Sequence, residues 1–519
     1  MRRRSQAGWK PRTAAIVGLG AIAASGLIAA VAVRRDDAAG APVALAPPPP
    51  ASIGINLGGL APYNRQQVFA NLIAQSEWFA SRGAGWTPLP ADQLDGRGWI
   101  RFLRPGQAAP RPLVLPALPY RPLAVRCTFV GKGELSADGL ARVTQRSSGV
   151  VDLVLQPPAS DDDGAWIQVD STDPADPLRD IDCRDRTLPR DQLFAPAFLR
   201  FLQGFAAVRF LDWQRTNDLP SGDWSRRTTP ASATQAGPQG VAIEYMVELA
   251  NQAAVDPWFL MPYDADAAYV CNFARYVHAH LRPGRTAYVE LGNEVWNTMF
   301  PATQKAQREG VALNLAPAGD PGLAGQRRYA QKLRATMKIW TAVFADRPDR
   351  LVRVAASQNV WPETAAMVLD FEDTARWIDA LATAPYFYLD DEAAPPRDLD
   401  AAFAVLAAAA DRSIAEAAEN RALAARHGKR FIAYEAGQHV VTPDIAFARR
   451  LQRDPRMERI YAHYLARWRE RIGDRMMLYA SSAPIADYGS WGLQEYAGQP
   501  ASETPKLRAV RAVLNRVAS

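Results

Sequence analysis

Short apolar runs alternate with longer amphipathic segments through most of the sequence. From about residue 195 onward, the apolar runs fall at 208–213, 257–262, 287–294, 351–357, 378–387, 430–435 and 476–482. Strands that alternate with helices predict parallel βαβ units. With the apolar segment at 53–58, the runs number eight, which is the number of strands that closes a (β/α)8 TIM barrel.

The segments between these runs have apolar residues at the spacing of one helix face. They predict helices over about 240–253, 264–281, 323–346, 398–427 and 443–473. The same spacing at 64–82 indicates a helix directly after the first strand. We therefore expect residues 53–94 to supply the first barrel strand and helix, and residues 191–519 to supply the remainder of the barrel.

A different pattern occupies residues 95–190. Alternating runs such as LAVRCTFV and GVVDLVLQ are separated by the turn-forming sequences GKGE, SADG and ASDDDG. This pattern is typical of antiparallel strands and turns. It predicts a β-rich unit that is inserted between barrel strands 1 and 2.

The N-terminal segment has the features of an export signal. Residues 13–33 carry no charged side chain and follow a basic stretch, so segment 1–35 is long enough to be a membrane anchor. A cleavable signal peptide is the alternative, since small residues are frequent in it. The basic stretch keeps the N-terminus in the cytoplasm. The prediction is an exported protein, anchored in the inner membrane and facing the periplasm or the outside, or secreted after cleavage. Residues 36–52 are a Pro/Ala-rich linker.

Composition and charge restrict the partners. The 519 residues are 48% hydrophobic and 22% charged, which is typical of a folded protein. Five of the six net positive charges lie within the first twelve residues, so the body is almost neutral. This distribution argues against nucleic acid as a partner and leaves the N-terminal segment as the contact with the membrane.

The cysteines do not form a metal-binding pattern. The sequence has three of them, Cys127, Cys183 and Cys271, without a CxxC motif or a Cys/His cluster. A Cys127–Cys183 disulfide and three buried thiols are equally good interpretations. We expect no metal and no cofactor.

The chemistry of the chain is concentrated at two strand ends. Active sites of (β/α)8 barrels lie at the carboxyl ends of the strands. The fourth strand ends in Asn293-Glu294, and the seventh ends in Glu435. Two carboxyl groups facing one another across a barrel mouth are what glycoside hydrolysis requires, as acid and as nucleophile or base.

These motifs resemble those of the clan A retaining glycoside hydrolases, a superfamily of (β/α)8-barrel enzymes. The resemblance covers about residues 53–515, and it implies that Glu294 is the acid/base and Glu435 the nucleophile. It also implies that Asn293 contacts the sugar 2-hydroxyl group. More narrowly, VELGNEVWN, FLDWQRTN and YGSWG are similar to secreted proteins described as cellulose-binding.

Several other residues at strand ends are candidates for substrate binding. Arg209 is suited to hydrogen-bond Glu435 and keep it ionised, and Tyr386 is suited to donate to the same carboxylate. Glu290, four residues before Glu294, is expected to be a paired charge inside the barrel. Tryptophan rings suit the apolar faces of sugars, although each is as easily a core residue. The tryptophans proposed for the sugar-binding groove are Trp213, Trp296 and Trp491, and Trp224 and Trp361 also follow strand ends.

Three functions compete. The first is a retaining glycoside hydrolase that cleaves a β-linked polysaccharide or oligosaccharide by double displacement. The second is a non-catalytic protein that binds cellulose or another polysaccharide on the same scaffold, and the third is a transglycosylase. Both glutamates favour catalysis. The third strand ends in Met261-Pro262-Tyr263 without a histidine, and of the five histidines only His439 lies near the mouth. This lack of histidines favours binding without catalysis.

Overall fold

A closed barrel of eight parallel strands forms the centre of the molecule. The structure, a computed structural model, describes residues 52–82, 85–160, 162–389 and 398–517. The barrel strands are β1 (Ile53–Asn56), β2 (Ala207–Arg209), β3 (Asp256–Met261), β4 (Ala287–Leu291), β5 (Leu351–Ala356), β6 (Ala380–Thr383), β7 (Arg430–Ala433) and β8 (Met476–Leu478). Each pairs with the next, and β8 closes on β1. The predicted (β/α)8 barrel is confirmed.

Strand periodicity decides which side chains enter the barrel. Successive side chains of a strand point to opposite faces. In β2, Ala207 packs in the interior cluster and Val208 packs in the outer layer against the helices. Arg209 therefore returns to the interior. In β4, Tyr288 packs in the same interior cluster, and Glu290 shares its face. An arginine and a glutamate thus lie inside the barrel, where Asn56 of β1 also accepts a hydrogen bond from Arg209.

The predicted helices form close to their expected bounds. They run over Ile243–Ala253, Ala267–His280, Pro321–Val343 and Leu399–Arg426, while the expected helix at 443–473 is two helices, Ile445–Arg453 and Pro455–Arg471. Proline is favourable at the first position of a helix and unfavourable inside one, so Pro455 begins the second of these. Helices that the periodicity missed are Pro196–Leu202, Pro301–Ala312, Pro362–Leu369 and Pro505–Val517.

Aspartate caps fix where several helices begin. The side chains of Asp266, Asp320, Asp398 and Asp444 each accept a hydrogen bond from the backbone N–H group three residues further on. Such a cap stabilises a helix by about 1 kcal/mol.

Antiparallel strands lie between β1 and β2 along the chain. Leu123–Val130, Ala141–Ser147, Val150–Leu155 and Arg179–Asp185 form one sheet, and Ala109–Leu113, Gly133–Gly139 and Ala165–Thr172 form another. The two sheets share a hydrophobic core of their own. Cys127 and Cys183 occupy paired positions in the first sheet and form a disulfide, with 3.9 Å between their Cα atoms. The third cysteine, Cys271, is free.

The helix expected at 64–82 is not formed. Residues 72–75 form a turn and most of the remainder is irregular, while the end of the segment, Phe79–Arg82, pairs as a strand with Gly85–Pro88. The buried side chain of Gln75 supplies the hydrogen bonds that a helix would have made. It accepts from the N–H group of Val68 and donates to the carbonyl groups of Asn64 and Gln66. Leu72, Ile73 and Trp78 pack instead against the antiparallel sheets, and Val68 and Phe69 pack in the layer around the barrel.

The predicted anchor or signal at 1–35 and almost all of the linker at 36–52 lie outside the described residues. Within the described part of the chain, no helix has both the length and the apolar character needed to cross a membrane.

Candidate active site

The two glutamates lie at the same end of the barrel. Glu294 follows β4 and Glu435 follows β7, and both are almost completely buried, with 3% and 6% of their surface exposed. The chain leaves β4 through two left-handed residues, Gly292 (φ 65°) and Glu294 (φ 44°). A non-glycine residue in this region is strained by about 1–3 kcal/mol. The carbonyl group of Glu294 holds the turn by accepting hydrogen bonds from the Asn297 N–H group and the Thr303 hydroxyl.

Glu435 is surrounded by donors that favour its ionised form. Arg209 Nη1 donates to one carboxylate oxygen at 2.8 Å, and the hydroxyl of Tyr386 donates to the other at 2.8 Å. Burial raises the pKa of Glu435, while Arg209 and Tyr386 act in the opposite direction. Arg209 and Tyr386 therefore both make the contact with Glu435 to which their positions are suited.

Glu294 has a different environment. Its carboxyl oxygens accept hydrogen bonds from the Tyr434 hydroxyl at 3.0 Å and from Asn297 Nδ2 at 2.9 Å, and both donors are neutral. Burial, followed by the negative charge of Glu435, raises the pKa of Glu294 to about 8. Glu294 is therefore protonated at neutral pH and is able to act as an acid.

Arg209 connects Glu435 to the barrel interior. It is fully buried, and its Nη2 atom donates to Glu290 and to Asn293 Oδ1. Glu290 also accepts from the indole N–H group of Trp258 at 2.9 Å. Glu290 is thus a paired charge inside the barrel. This network fixes the guanidinium group beneath the site and leaves Nη1 directed at Glu435.

Asn293 is oriented from both sides. Its Oδ1 atom accepts from Arg209, and its Nδ2 atom donates to Asn217 in the loop after β2 at 2.9 Å. The amide group therefore has one defined orientation next to Glu294.

Aromatic side chains from the segments that follow β6, β7 and β8 form one wall of the site. Trp491, which is 8% exposed, donates from Nε1 to His439 Nδ1 at 3.1 Å. The His439 ring lies 5.7 Å from the ring of Tyr386 and 5.0 Å from that of Tyr388. Burial lowers the pKa of His439 to about 4, so this histidine is neutral. Tyr479 packs edge-on against Trp491.

The other tryptophans are divided between the mouth and the core. Trp296 is partly exposed and lies beside the hydroxyl of Tyr434. Trp361 follows β5 and is 57% exposed. Trp213 does not reach the groove that we expected it to line, because the chain turns at 211–215 after β2 and its ring packs in the outer layer. It is 1% exposed and packs against Phe198 and Phe210 in the layer between barrel and helices.

Four residues of the site escaped the sequence analysis. Tyr434 and Asn297 hold Glu294, and Tyr479 hydrogen-bonds Asp212, a third carboxylate at the mouth. Tyr434 lies two residues after Ile432 and therefore points into the barrel like it, and Asn297 lies within the motif around Glu294. Both could therefore have been recognised from the sequence. For Asp212 and Tyr479, which lie 267 residues apart, the sequence carried none.

No protein-family model matches this sequence, and no curated protein does. Similar solved structures include the GH51 arabinofuranosidase from Xanthomonas axonopodis pv. citri, with a TM-score of 0.40 at 12% identity over 58% of this chain and 63% of that one. Others are a Thermotoga maritima β-glucosidase (TM-score 0.33, 10% identity, 62% and 84% covered) and a Pseudomonas stutzeri endoglucanase (0.35, 14%, 63% and 88%). The match spans less than two thirds of the arabinofuranosidase. Likeness at this level establishes no activity, so function has to be inferred from the site.

Proposed function

We propose that this chain is a retaining glycoside hydrolase that cleaves a β-linked polysaccharide, with Glu294 as acid/base and Glu435 as nucleophile. The observation that carries the proposal is the contrast between two buried carboxyl groups. Glu435 is held by a cation and a tyrosine hydroxyl, while Glu294 has neutral donors and a pKa of about 8. Pairs whose environments differ in this way are typical of acid and nucleophile.

In the first step of the proposed reaction, a carboxylate oxygen of Glu435 forms a bond to the anomeric carbon. The glycosidic C–O bond breaks, and Glu294 gives its proton to the departing oxygen. The product is a glycosyl ester of Glu435. Arg209 and Tyr386 hold the attacking carboxylate in position and stabilise it again when it leaves.

In the second step, water attacks the anomeric carbon and the ester bond breaks. Glu294, now ionised, accepts the proton from that water, which restores both groups to their starting states. Because each step inverts the anomeric carbon, the product keeps the β-configuration. Asn293 is proposed to hold the 2-hydroxyl group of the sugar, and the rings of Trp491 and Trp296 to contact its apolar faces.

A carbohydrate-binding protein without catalysis is the second candidate. The exposed ring of Trp361, beside the exposed Val360, favours it, because an unburied indole at a barrel mouth is suited to hold a polysaccharide chain. Both candidates share the substrate class and differ in whether a bond to Glu435 forms.

Trapping of the covalent intermediate separates the two candidates. Full-length protein is incubated with aryl 2-deoxy-2-fluoro-β-glycosides of several sugars, and its intact mass is measured. We expect one glycosyl adduct that maps to Glu435, disappears in Glu435→Gln and persists in Glu470→Gln, an exposed control on helix Pro455–Arg471. No adduct with any donor, together with measurable polysaccharide binding, would replace the hydrolase by the binding protein.

We also propose that the chain is exported through segment 1–35, either anchored in the inner membrane with its barrel outside or secreted after cleavage. The Cys127–Cys183 disulfide supports export, since such bonds persist mainly in oxidising compartments. Fusing residues 1–52 to a reporter enzyme that folds only outside the cytoplasm should give an active reporter. An inactive reporter would contradict the proposal.

A further inference from the structure

Asp212 is a carboxylate at the barrel mouth that the proposed mechanism does not use. It follows β2 by three residues and is partly buried. Its Oδ2 atom accepts a hydrogen bond from the hydroxyl of Tyr479 at 3.3 Å, which is longer than an ordinary O–H···O contact. Glu294 and Glu435, by comparison, each accept two shorter bonds.

The arginines nearest to Asp212 are engaged with other acids. Arg209 donates to Glu290 and Glu435, and Arg215 of the same loop pairs with Asp218 at 2.9 Å. Burial and the charge of Glu435 raise the pKa of Asp212 to about 7. Within the described part of the chain, Asp212 thus forms no ion pair, and it interacts electrostatically with the proposed nucleophile.

The surroundings of Asp212 resemble a sugar-binding corner. The loop after β1 passes directly beside it, and a Cβ atom built on Gly59 would lie 3.5 Å from that of Asp212. Tyr63, from the same loop, is 46% exposed and interacts electrostatically with Asp212. Tyr479 links this corner to the ring of Trp491. The carboxylate of Asp212, the exposed ring of Tyr63 and the aromatic wall formed by Tyr479 and Trp491 therefore lie near Glu435.

The charges of this corner favour a positively charged group. Arg209 offers one positive charge, and it is shared between Glu290 and Glu435. His439 is neutral because burial lowers its pKa to about 4. An ammonium group placed against Asp212 would supply the missing cation, whereas a sugar carboxylate would be repelled.

We propose that Asp212 contacts the sugar bound beside Glu435 and selects glycans that carry free amino groups over neutral or carboxylate-bearing ones. This inference rests on the proposed function for the location of the sugar. It does not require the site to be catalytically active, so it can be tested by binding alone.

The test measures binding to full-length protein with the Glu294→Gln substitution, which prevents turnover. Calorimetric titration near neutral pH compares β-1,4-linked oligosaccharides of equal length built from glucosamine, glucose and glucuronic acid. We expect the glucosamine oligosaccharide to bind about ten-fold more tightly than the glucose one, as one charge-assisted hydrogen bond implies, and the glucuronic acid one to bind weakest.

Adding Asp212→Asn should reduce this preference to about two-fold or less, because the amide keeps the shape of the side chain and loses its charge. Asp223→Asn, at an exposed acid further along the same loop, is the matched control and should leave the preference intact, because asparagine keeps the cap on the Ser225 N–H group and Arg215 stays paired with Asp218. Tyr479→Phe removes the hydrogen bond but keeps the carboxylate, so the preference should persist if Asp212 acts on the ligand.

Equal affinities for the three oligosaccharides, an unchanged preference in Asp212→Asn, or binding of none of them would each overturn the inference. If instead the proposed hydrolase function is wrong, the trapping experiment will show it, because no fluoroglycoside adduct will form on Glu435. The two proposals can therefore fail independently.

Discussion

Replacing Tyr434 by phenylalanine tests how the acid is tuned. The Tyr434 hydroxyl donates to Glu294 at 3.0 Å and lowers its pKa, whereas burial and Glu435 raise it. A neutral hydrogen bond is worth about 0.5–1.5 kcal/mol, and 1.36 kcal/mol corresponds to one pKa unit. Tyr434→Phe should therefore raise the pKa of Glu294 by roughly 0.4–1 unit above its value of about 8.

The assay is the pH dependence of kcat/KM for an aryl glycoside that the trapping experiment identifies. General acid catalysis requires protonated Glu294, so the rate should fall as the pH rises through about 8 in the wild type, and this alkaline limb should move upward in Tyr434→Phe. Tyr263→Phe is the control, because it removes a tyrosine hydroxyl that donates to a different glutamate, Glu309. An alkaline limb that stays in place or moves downward would refute this account of the pKa of Glu294.

Two further predictions concern stability. Arg209→Met leaves Glu290 and Glu435 buried without their cation, so chemical denaturation at neutral pH should show a loss of about 3–5 kcal/mol. Part of this loss should return as the pH is lowered and the carboxylates become protonated; a loss independent of pH would contradict the charge argument. Cys127→Ser opens a cross-link between residues 56 positions apart and should cost about 4 kcal/mol of unfolding free energy. The same loss should follow reduction of the wild-type disulfide.

Local patterns in the sequence were sufficient to predict the barrel and the two glutamates. Strands buried on both faces require continuous apolar runs, and the ends of such runs are visible in the sequence. Parallel strands bring all these ends to one face, so Glu294 and Glu435 had to lie at the same mouth. Strand periodicity also placed Arg209 and Glu290 on interior faces.

Tertiary contacts decided the rest. The segment at 64–82 has the apolar spacing of a helix, but Gln75 hydrogen-bonds its backbone, and its apolar residues are divided between the antiparallel sheets and the layer around the barrel. Trp213 follows the same strand end as Asp212, and strict alternation would place it on the interior face with Ala207 and Arg209. The turn at 211–215 breaks that alternation, so its ring packs in the outer layer with Val208 and Phe210. Asp212 meets Tyr479 only through the closure of the barrel between β1, β2 and β8. Periodicity is a property of neighbouring residues, whereas a pKa or a hydrogen bond depends on whatever the fold brings near, and that information is not local in the sequence.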